Sequence, residues 1–193
     1  VVDALRSSGL KYEERSDAPG FAGDVVGEGE FIFWWQGPME YGPRALGNRS
    51  IIAPAGDLEV KDKLNLQVKM RSWFQPFCPS LLMEDADDLF LDADSVDRFM
   101  TMGYQVRPER MDDVAAVVNV DGSARPQMLG GENPRFRSLI KSVKKDSGVG
   151  VVLNTSFNIH GYPIVDTPSQ AIDVLKRTGS GYLFLNDYLV EAK

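Results

Sequence analysis

The sequence predicts an α/β protein in which a twisted mixed sheet is flanked by helices. Short apolar runs bounded by turn residues alternate along the chain with segments that carry helix-end signals, and this alternation is typical of such a sheet. At 193 residues with 43% hydrophobic content, the chain can bury a full core. We therefore expect one domain over residues 1–193.

Several segments have the composition of strands. The run "GEFIFWWQG", residues 29–37, is aromatic and β-branched between glycines and predicts a buried strand. The continuous apolar run Val149–Leu153 predicts a strand buried on both faces, whose polar successors emerge at the sheet edge. Residues 114–119, "VAAVVN", predict a strand that ends before a polar turn. The final "GYLFLNDYLVEA" predicts two short strands around Asn186–Asp187.

Two segments have the pattern of helices. Residues 58–69, "LEVKDKLNLQVK", place apolar residues at roughly helical spacing, which predicts a helix that delivers Lys69 to its end. The segment "TPSQAIDVLKRTG" carries the strongest end signals, because Thr167 is a typical N-cap, Gln170 completes a capping box and Gly179 stops the helix. The intervening "GPMEYGPRALGNRS" predicts a turn-rich loop.

The segment at residues 79–99 holds seven carboxylates and one arginine, Arg98. Such a run is typical of a solvated surface. It does not match a calcium-binding loop, because Leu89 occupies a position that needs an oxygen ligand and no glycine stands at the sixth position. We therefore interpret this segment as a hydrated face.

Composition excludes several classes of function. The net charge of −7 and the pI near 4.8 argue against a general nucleic-acid or anionic-membrane surface, so any anion site must be local. The sole cysteine, Cys78, provides neither a disulfide framework nor a zinc cluster, and no apolar run approaches the roughly 20 residues that span a bilayer. We expect a cytoplasmic protein. The start at Val1 predicts a piece of a longer polypeptide.

Positive charge is concentrated in one stretch of this acidic chain. From residue 44 to residue 71, six cations outnumber three acids: Arg44, Arg49, Lys61, Lys63, Lys69 and Arg71 against Asp57, Glu59 and Asp62. A guanidinium offers a planar fork and an ammonium a compact point charge, so a Lys-x-Arg pair can clamp two sides of one oxyanion. The alternative is a set of ordinary solvated helix charges.

A second polar motif, "NTSFN", follows the predicted buried strand. Asn154, Ser156 and Asn158 offer amide and hydroxyl groups that can hydrogen-bond phosphoryl oxygens, a carbamoyl group or a ribose. A polar turn that caps the strand is the alternative. A serine nucleophile is disfavoured, because the only histidine, His160, lies four residues from Ser156 and no Gly-x-Ser-x-Gly elbow is present. Cys78 also lacks an arranged base and fits a packed small residue.

Four segments together resemble the C-terminal domain of the NodU/CmcH-type carbamoyltransferases: "WWQGPMEYGPRALGNRSIIA", "DKLNLQVKMRSWFQPFCPSLL", "VDGSARPQ" and "VLNTSFNIHGYPIV". They follow the family's order over most of the chain. The resemblance implies a YrdC-like fold, whose hallmark is a Lys-x-Arg paired with a distant Ser-x-Asn. These motifs fall on Lys69, Arg71, Ser156 and Asn158. We therefore expect the two segments to form opposite walls of one pocket.

The resemblance implies a reaction that uses carbamoyl phosphate and ATP with magnesium. The product would be carbamoyl adenylate, with release of pyrophosphate and phosphate. An N-terminal acceptor domain of actin-like fold, on the same polypeptide, would pass the carbamoyl group to a hydroxyl. That domain is not in this sequence, which fits the start at Val1.

The resemblance also implies roles for nine residues. The groups that neutralise phosphate charge would be Lys69 and Arg71. The groups that hold the carbamoyl or carbamate group and the α-phosphate would be Ser156, Asn158 and Asn154. The groups that line the polyphosphate side would be Arg44, Asn48, Arg49 and Arg125. Magnesium would be bound mainly through phosphates and waters, without a dedicated cage of protein ligands.

Two other readings stay open at this point: a YrdC-like module that binds nucleotide or RNA without catalysis, and a threonylcarbamoyl adenylate synthase. The net charge of −7 opposes RNA binding. The segments "MEYGPRALGNRS" and "VDGSAR" favour the carbamoyltransferase over the synthase. Two positions depart from the family pattern: Pro38, where relatives more often carry arginine, and Asn119, where many carry histidine.

Overall fold

The computed structural model describes residues 1–93, 95–179 and 181–191. The α-helices in these ranges are α1 Val2–Ser8, α2 Ala18–Gly27, α3 Leu58–Lys63, α4 Ala86–Leu89, α5 Pro134–Ser147 and α6 Pro168–Thr178. The strands are β1 Tyr12–Glu14, β2 Ile32–Trp35, β3 Arg49–Pro54, β4 Cys78–Leu82, β5 Tyr104–Gln105, β6 Ser123–Ala124, β7 Gln127–Leu129, β8 Val151–Ser156, β9 Tyr182–Leu185 and β10 Tyr188–Glu191. Single turns of 3₁₀-helix lie at Met83–Asp85 and Pro108–Arg110, a longer 3₁₀ segment at Asp112–Val117, and a π-helical turn at Leu64–Val68.

Eight strands form one mixed sheet in the order β1-β10-β9-β2-β3-β8-β4-β7. The pairs β2–β9 and β4–β7 are parallel, and the other neighbouring pairs are antiparallel. The strands β5 and β6 form a separate two-stranded ribbon. This architecture confirms the predicted mixed sheet flanked by helices, and it places β8 inside the sheet, between β3 and β4.

Helices cover both faces of the sheet, because successive side chains of a strand point to opposite faces. In β2, Phe33 packs into one core together with α6, whereas Ile32 and Trp34 pack into a second core with α2 and α5. The N-cap of α5 is Asn133, whose side chain accepts the N–H of Phe136 at 3.1 Å. Within the described ranges, no helix has both the length and the apolar character needed to cross a membrane.

Several elements confirm the sequence predictions. The strand β2 lies within residues 29–37 and is buried throughout. The strands β9 and β10 turn at Asn186, which adopts a φ of 57°. The capping box of α6 forms as predicted between Thr167 and Gln170. Ala192, the last residue of the predicted strand pair, lies outside the described residues.

Two details of the secondary structure differ from the predictions. The strand β8 continues through Ser156, so the polar motif begins within a central strand and not beyond a sheet edge. The predicted strand at residues 114–119 is instead largely the 3₁₀ segment Asp112–Val117, because its apolar residues are buried beneath the sheet, where the N–H of Ala116 donates to the carbonyl of Ala55 at 2.8 Å. The apolar residues at 114–119 therefore indicated correctly that the segment is buried, but they did not distinguish a strand from a 3₁₀-helix.

The predicted hydrated face at residues 79–99 contains two buried carboxylates. Asp97 is 4% exposed and accepts backbone N–H bonds from Phe99, Thr101 and Met102, which hold its pKa below the usual value despite burial. Asp85 is buried and paired with the ammonium of a lysine on α5. These two side chains act as structural anchors, and only the remaining acids fit a solvated surface. Asp94 of this segment lies outside the described residues.

Candidate functional site

The segment that carries the Lys-x-Arg motif changes conformation abruptly at Lys69. The helix α3 passes into the π-helical turn, which ends where the N–H of Lys69 donates to the carbonyl of Leu64 at 2.7 Å. Met70 then adopts a φ of 46°, a left-handed conformation that is uncommon for residues other than glycine. Its side chain is exposed, whereas that of Lys69 is buried. Both π turns and left-handed residues are frequent at functional sites.

The ammonium of Lys69 is enclosed by oxygen atoms of the "NTSFN" motif. Its Nζ donates to Ser156 Oγ at 3.1 Å, to Asn158 Oδ1 at 2.8 Å and to the Asn158 carbonyl at 3.2 Å, and it also contacts the Ser156 carbonyl. Burial, and secondarily the charge of Arg71, lower the pKa of Lys69 to about 7. The structure thus brings together three of the four residues of the predicted tetrad by direct hydrogen bonds.

Ser156 and Asn158 are also bonded to each other. Ser156 Oγ donates to Asn158 Oδ1 at 2.6 Å, and the amide of Asn158 donates to the carbonyl of Tyr162 at 2.8 Å. Sequence reasoning found no base near Ser156, but the structure places the amine of Lys69 beside it, across 87 residues of sequence. In this arrangement the amine donates to the hydroxyl, and the hydroxyl proton is directed to an amide oxygen. The geometry orients Oγ and does not deprotonate it.

Arg71 is held by a residue that the sequence analysis missed. Its Nε donates to Asn65 Oδ1 at 2.6 Å, and its guanidinium lies 4.5 Å from the centroid of the Phe77 ring. The side-chain amide of Asn65 donates to the carbonyls of Trp73 and Gln75, at 2.9 and 3.1 Å. Asn65 therefore organises the whole loop after the π turn. Its place on the buried face of a helical pattern is the only sequence signal that could have revealed it.

Arg71 reaches a cavity of about 130 Å³ whose wall contains three guanidinium groups. We call it the arginine cavity, and its lining residues are Pro43, Arg44, Ala45, Arg71, Pro76, Phe77, Cys78, Met100, Arg125, Asn154, Thr155 and Ser156. No carboxylate is among them. Burial raises the pKa of the Cys78 thiol even though Arg125 donates to its Sγ at 3.6 Å. Three guanidinium groups around one cavity can together hydrogen-bond an anion that has several oxygen atoms.

The loop that carries Arg44 is anchored by Glu40, a second residue that the sequence analysis missed. Glu40 Oε1 accepts the backbone N–H groups of Leu46 at 2.7 Å, Asn48 at 2.8 Å and Arg49 at 3.2 Å. Gly47 has a φ of 102° and lies so close to Phe136 that a Cβ atom would approach that ring within 2.1 Å. Because these bonds go to the main chain, no spacing of side chains in the sequence could have indicated Glu40.

Asn48 and Arg49, both predicted to line the site, lie outside the residues that line the arginine cavity. The Asn48 amide donates to the carbonyl of Pro38 at 2.8 Å. Arg49 donates to the carbonyl of Gln36 at 2.8 Å and lies 4.0 Å from the centroid of the Trp35 ring. These two side chains belong to a polar network beside the loop.

Asn154, also predicted as a site residue, does line the cavity and is buried. Its Nδ2 donates to the Ala45 carbonyl at 3.1 Å and to Ser80 Oγ at 2.9 Å. Its Oδ1 makes no hydrogen bond to any other residue that the structure describes. An unpaired buried acceptor costs free energy, so this oxygen is suited to a donor that arrives with a ligand.

Relatives with similar sequences are longer than this chain. The uncharacterized protein MJ1058 of Methanocaldococcus jannaschii is 42% identical over 91% of this chain and 29% of its own length. The nodulation protein NolNO of Sinorhizobium fredii is 37% identical over 95% of this chain and 28% of its own. The 3'-hydroxymethylcephem-O-carbamoyltransferase of Streptomyces clavuligerus is 39% identical over 77% and 28%. The chain thus spans about a third of the length of these relatives or less.

Solved structures share the fold at low sequence identity. Full-length HypF, in a form described as phosphate- and nucleotide-bound, matches with a TM-score of 0.60 and 15% identity over 88% of this chain and 21% of that one. A double variant of P. abyssi Sua5 matches with a TM-score of 0.51 and 12% identity over 80% and 42%. These matches confirm the YrdC-like fold. The family model described as Carbamoyltransferase C-terminus matches residues 23–192, and the chain therefore belongs to that family.

Proposed function

We propose that this domain makes carbamoyl adenylate from carbamoyl phosphate and ATP, for transfer to a hydroxyl held by another domain of the same polypeptide. The observation that carries the proposal is the composition of the arginine cavity. Its lining contains three arginines together with Ser156, and it contains no carboxylate. A site for two phosphate-bearing substrates needs this balance of charge. Support also comes from the relative that is named an O-carbamoyltransferase and from the phosphate- and nucleotide-bound HypF.

The proposed chemistry has two steps. In the first step, water hydrolyses carbamoyl phosphate, and the products are carbamate and inorganic phosphate. A carbamate oxygen then attacks the α-phosphorus of ATP, a new phosphorus–oxygen bond forms, the bond to the β-phosphate bridge breaks, and pyrophosphate leaves. Negative charge accumulates on phosphoryl oxygens in both steps, so fixed guanidinium groups lower both barriers.

The geometry refines the roles that the resemblance implied. Arg44, Arg71 and Arg125 would bind the phosphates, because their guanidinium groups line the cavity. Lys69 would hold Ser156 and Asn158 in place, since its three protons already face oxygen atoms of that pair. The side chains of Ser156, Asn158 and Asn154 would bind the carbamoyl group and the α-phosphate. Asn48 and Arg49 would support the loop that presents Arg44.

Magnesium would enter with the nucleotide. The arginine cavity offers cations and amides, so the ion would be held by phosphate oxygens and water and would neutralise their charge. The acceptor hydroxyl would be bound by an N-terminal domain of actin-like fold. We further propose that residues 1–193 form one domain of that longer polypeptide and that it acts in the cytoplasm, where a lone cysteine stays reduced.

Isotope exchange between labelled pyrophosphate and ATP tests the proposal, because it reports reversible formation of an adenylate. We expect exchange that depends on carbamoyl phosphate. It should fall by about one to two orders of magnitude in Arg125→Ala and persist in Lys63→Ala, which changes a cation outside the cavity. Exchange with threonine and bicarbonate, but not with carbamoyl phosphate, would indicate a threonylcarbamoyl adenylate synthase. A wild-type protein that binds ATP but gives no exchange with either substrate would support a binding module.

A further inference from the structure

The loop that carries Arg44 has two parts with opposite bonding. We call residues 40–49 the arginine loop, and it lies in the connection from β2 to β3. The backbone N–H and C=O groups of its tip, residues 41–44, make no hydrogen bond to any other residue that the structure describes. All four tip residues are exposed. The tip is therefore held in place only through the base of the loop, residues 45–49.

Side chains of the sheet bind the carbonyl groups of this base. The carbonyl of Leu46 accepts from Gln127 Nε2 at 2.9 Å. The carbonyl of Gly47 accepts from Trp34 Nε1 at 2.9 Å and from Gln36 Nε2 at 2.7 Å. Gln36 and Gly47 are 11 residues apart in the sequence, so the bond between them closes a loop that contains the whole tip. These contacts fix the base against the sheet.

Glu40 closes a shorter loop around the same tip. Its Oε1 accepts the N–H groups of three residues beyond the tip: Leu46, Asn48 and Arg49. Glu40 and Leu46 are only 6 residues apart in the sequence. A shorter closed loop has fewer conformations, and a carboxylate binds N–H groups more strongly than a neutral acceptor does. The carboxylate of Glu40 thus restricts the tip more closely than the sheet contacts do.

The restricted tip brings Arg44 to the arginine cavity. Its two neighbours, Pro43 and Ala45, also line the cavity wall. Gly42 adopts a φ of 127°, and the ring of Pro43 limits the backbone on both sides of the peptide bond that joins them. A guanidinium that is ordered in advance binds an anion more tightly, because binding then does not have to offset the entropy of ordering a long side chain.

We propose that Glu40 is a positioning residue whose carboxylate bridges the two ends of the tip and orders Arg44 toward the cavity before an anion binds. This inference rests on the proposed use of phosphate-bearing substrates at the arginine cavity. Glu40 is not among the residues that line the cavity, so its carboxylate acts on the backbone of the loop and not on the substrate. Glu40 should therefore affect the affinity for anions only through Arg44.

A double-mutant cycle, with the Kd of inorganic tripolyphosphate measured by titration calorimetry, tests this coupling. Arg44→Ala should raise the Kd about 10- to 100-fold, and Glu40→Ala should raise it by up to about tenfold, the cost of ordering one long side chain. Glu40→Gln keeps an oxygen acceptor and should restore most of the affinity. In the Arg44→Ala background, neither change at position 40 should raise the Kd further.

The matched control is Glu132→Ala. Glu132 Oε1 accepts the N–H of Gly130 at 3.1 Å, in a loop that does not line the cavity, so its loss should leave the Kd unchanged. If Glu40 only stabilises the fold, Glu40→Ala should lower the Tm and change the Kd by the same factor with or without Arg44. That result, or an unchanged Kd, would overturn the proposal. If Glu40→Ala does not fold, the cycle is measured with Glu40→Gln.

The same proteins separate this inference from the proposed function. A coupled cycle in a protein that shows no exchange between pyrophosphate and ATP would support the role of Glu40 and reject the adenylate chemistry. Exchange by the wild type together with an additive cycle would reject the role of Glu40 alone. A wild-type protein that does not bind tripolyphosphate would overturn the inference, because Arg44 would then have no anion to receive.

Discussion

Arg49 and the arginines of the cavity show two opposite uses of the same side chain. Arg49 is 2% exposed and donates to the carbonyls of Gln36 and Asp166, at 2.8 and 3.2 Å. It also lies over the ring of Trp35. Burial lowers the pKa of Arg49, although nearby Glu40 opposes this shift, and the guanidinium stays charged. The hydrogen bonds of its two terminal nitrogens thus go to the backbone of the fold.

The arginine cavity has the opposite character. Arg44 makes no hydrogen bond or ion pair with any other residue in the described parts of the chain, and Arg125 reaches only the weak acceptor Cys78 Sγ at 3.6 Å. Elsewhere in the chain an arginine pairs with a carboxylate, as Arg135 does with Asp187 at 2.8 Å. The comparison teaches that a cluster of cations in the sequence divides into members that are hydrogen-bonded within the fold and members that remain available to the proposed ligand, according to which protein acceptors lie within reach.

Ser156→Ala gives the largest expected effect, and it tests whether the hydroxyl orients substrate or attacks it. If Ser156 orients the carbamoyl group, ATP turnover with carbamoyl phosphate should fall by about 10² to 10³ and remain measurable, as for loss of one oxyanion-stabilising donor. Mass spectrometry of the quenched wild-type reaction should show free carbamoyl adenylate and unmodified protein. A carbamoyl adduct on Ser156 would instead establish a nucleophile.

Arg125→Ala and Arg44→Ala should each separate activity from stability. Loss of one charge-assisted hydrogen bond to a bound anion costs about 1.5 to 3 kcal/mol, so kcat/KM for carbamoyl phosphate should fall by about one to two orders of magnitude. The Tm without ligand should stay within a few degrees of wild type, because few protein contacts are removed. Turnover equal to wild type in both variants would remove this cavity from consideration.

Arg49→Ala should show the reverse pattern. The buried carbonyls of Gln36 and Asp166 would lose their donor, which should reduce the free energy of unfolding by about 1 to 3 kcal/mol, measured by urea denaturation. Below the new Tm, substrate affinity should fall less than in Arg125→Ala. If Arg49→Ala instead lost affinity without losing stability, the division between network and cavity would be wrong.

Comparable in size is a pH dependence of stability that arises from Lys69. Its pKa is lowered to about 7 in the folded protein, against about 10.4 when unfolded, so the unfolded state binds more protons between these values. Stability should therefore rise with pH across that window. Urea titrations at pH 7 and 9 should show the rise in wild type and a smaller one in Lys69→Met. Equal slopes in the two proteins would place the pKa of Lys69 near its ordinary value.

The sequence predicted those helices and strands whose end signals and apolar pattern lie within one short segment. The helix α6 followed from its capping box, and β2 from an apolar run between glycines. The helices α1, α2 and α5 were not predicted, although Asn133 before Pro134 at the start of α5 is an N-terminal signal. The 3₁₀ segment at 112–117 was mistaken for a strand, because β-branched residues also occur wherever a connection is buried.

The site was predicted only as far as side-chain chemistry shows in the sequence. The tetrad followed from a resemblance, and the structure brings Lys69 to Ser156 and Asn158. Spacing could not separate Arg49 from Arg44, because both belong to one basic stretch and only the fold decides which acceptors each reaches. Glu40 and Asn65 were not predicted for a related reason. Both bind backbone atoms of a neighbouring loop, and backbone partners cannot be recognised from a side-chain motif in the sequence.

The π-helical turn before Lys69 has a consequence for how this chain tolerates insertions and deletions. A π turn contains one residue more than an α turn, so deletion of any one residue from Leu64–Val68 would allow the helix to continue with ordinary geometry. Local helicity would improve. The side chain that follows would, however, rotate by about 100° around the axis, and the ammonium would leave the Ser156–Asn158 pair. The direction in which Lys69 points from the helix axis thus depends on the number of residues in the π turn. Among homologues we expect the length of this turn to be conserved more strictly than its sequence.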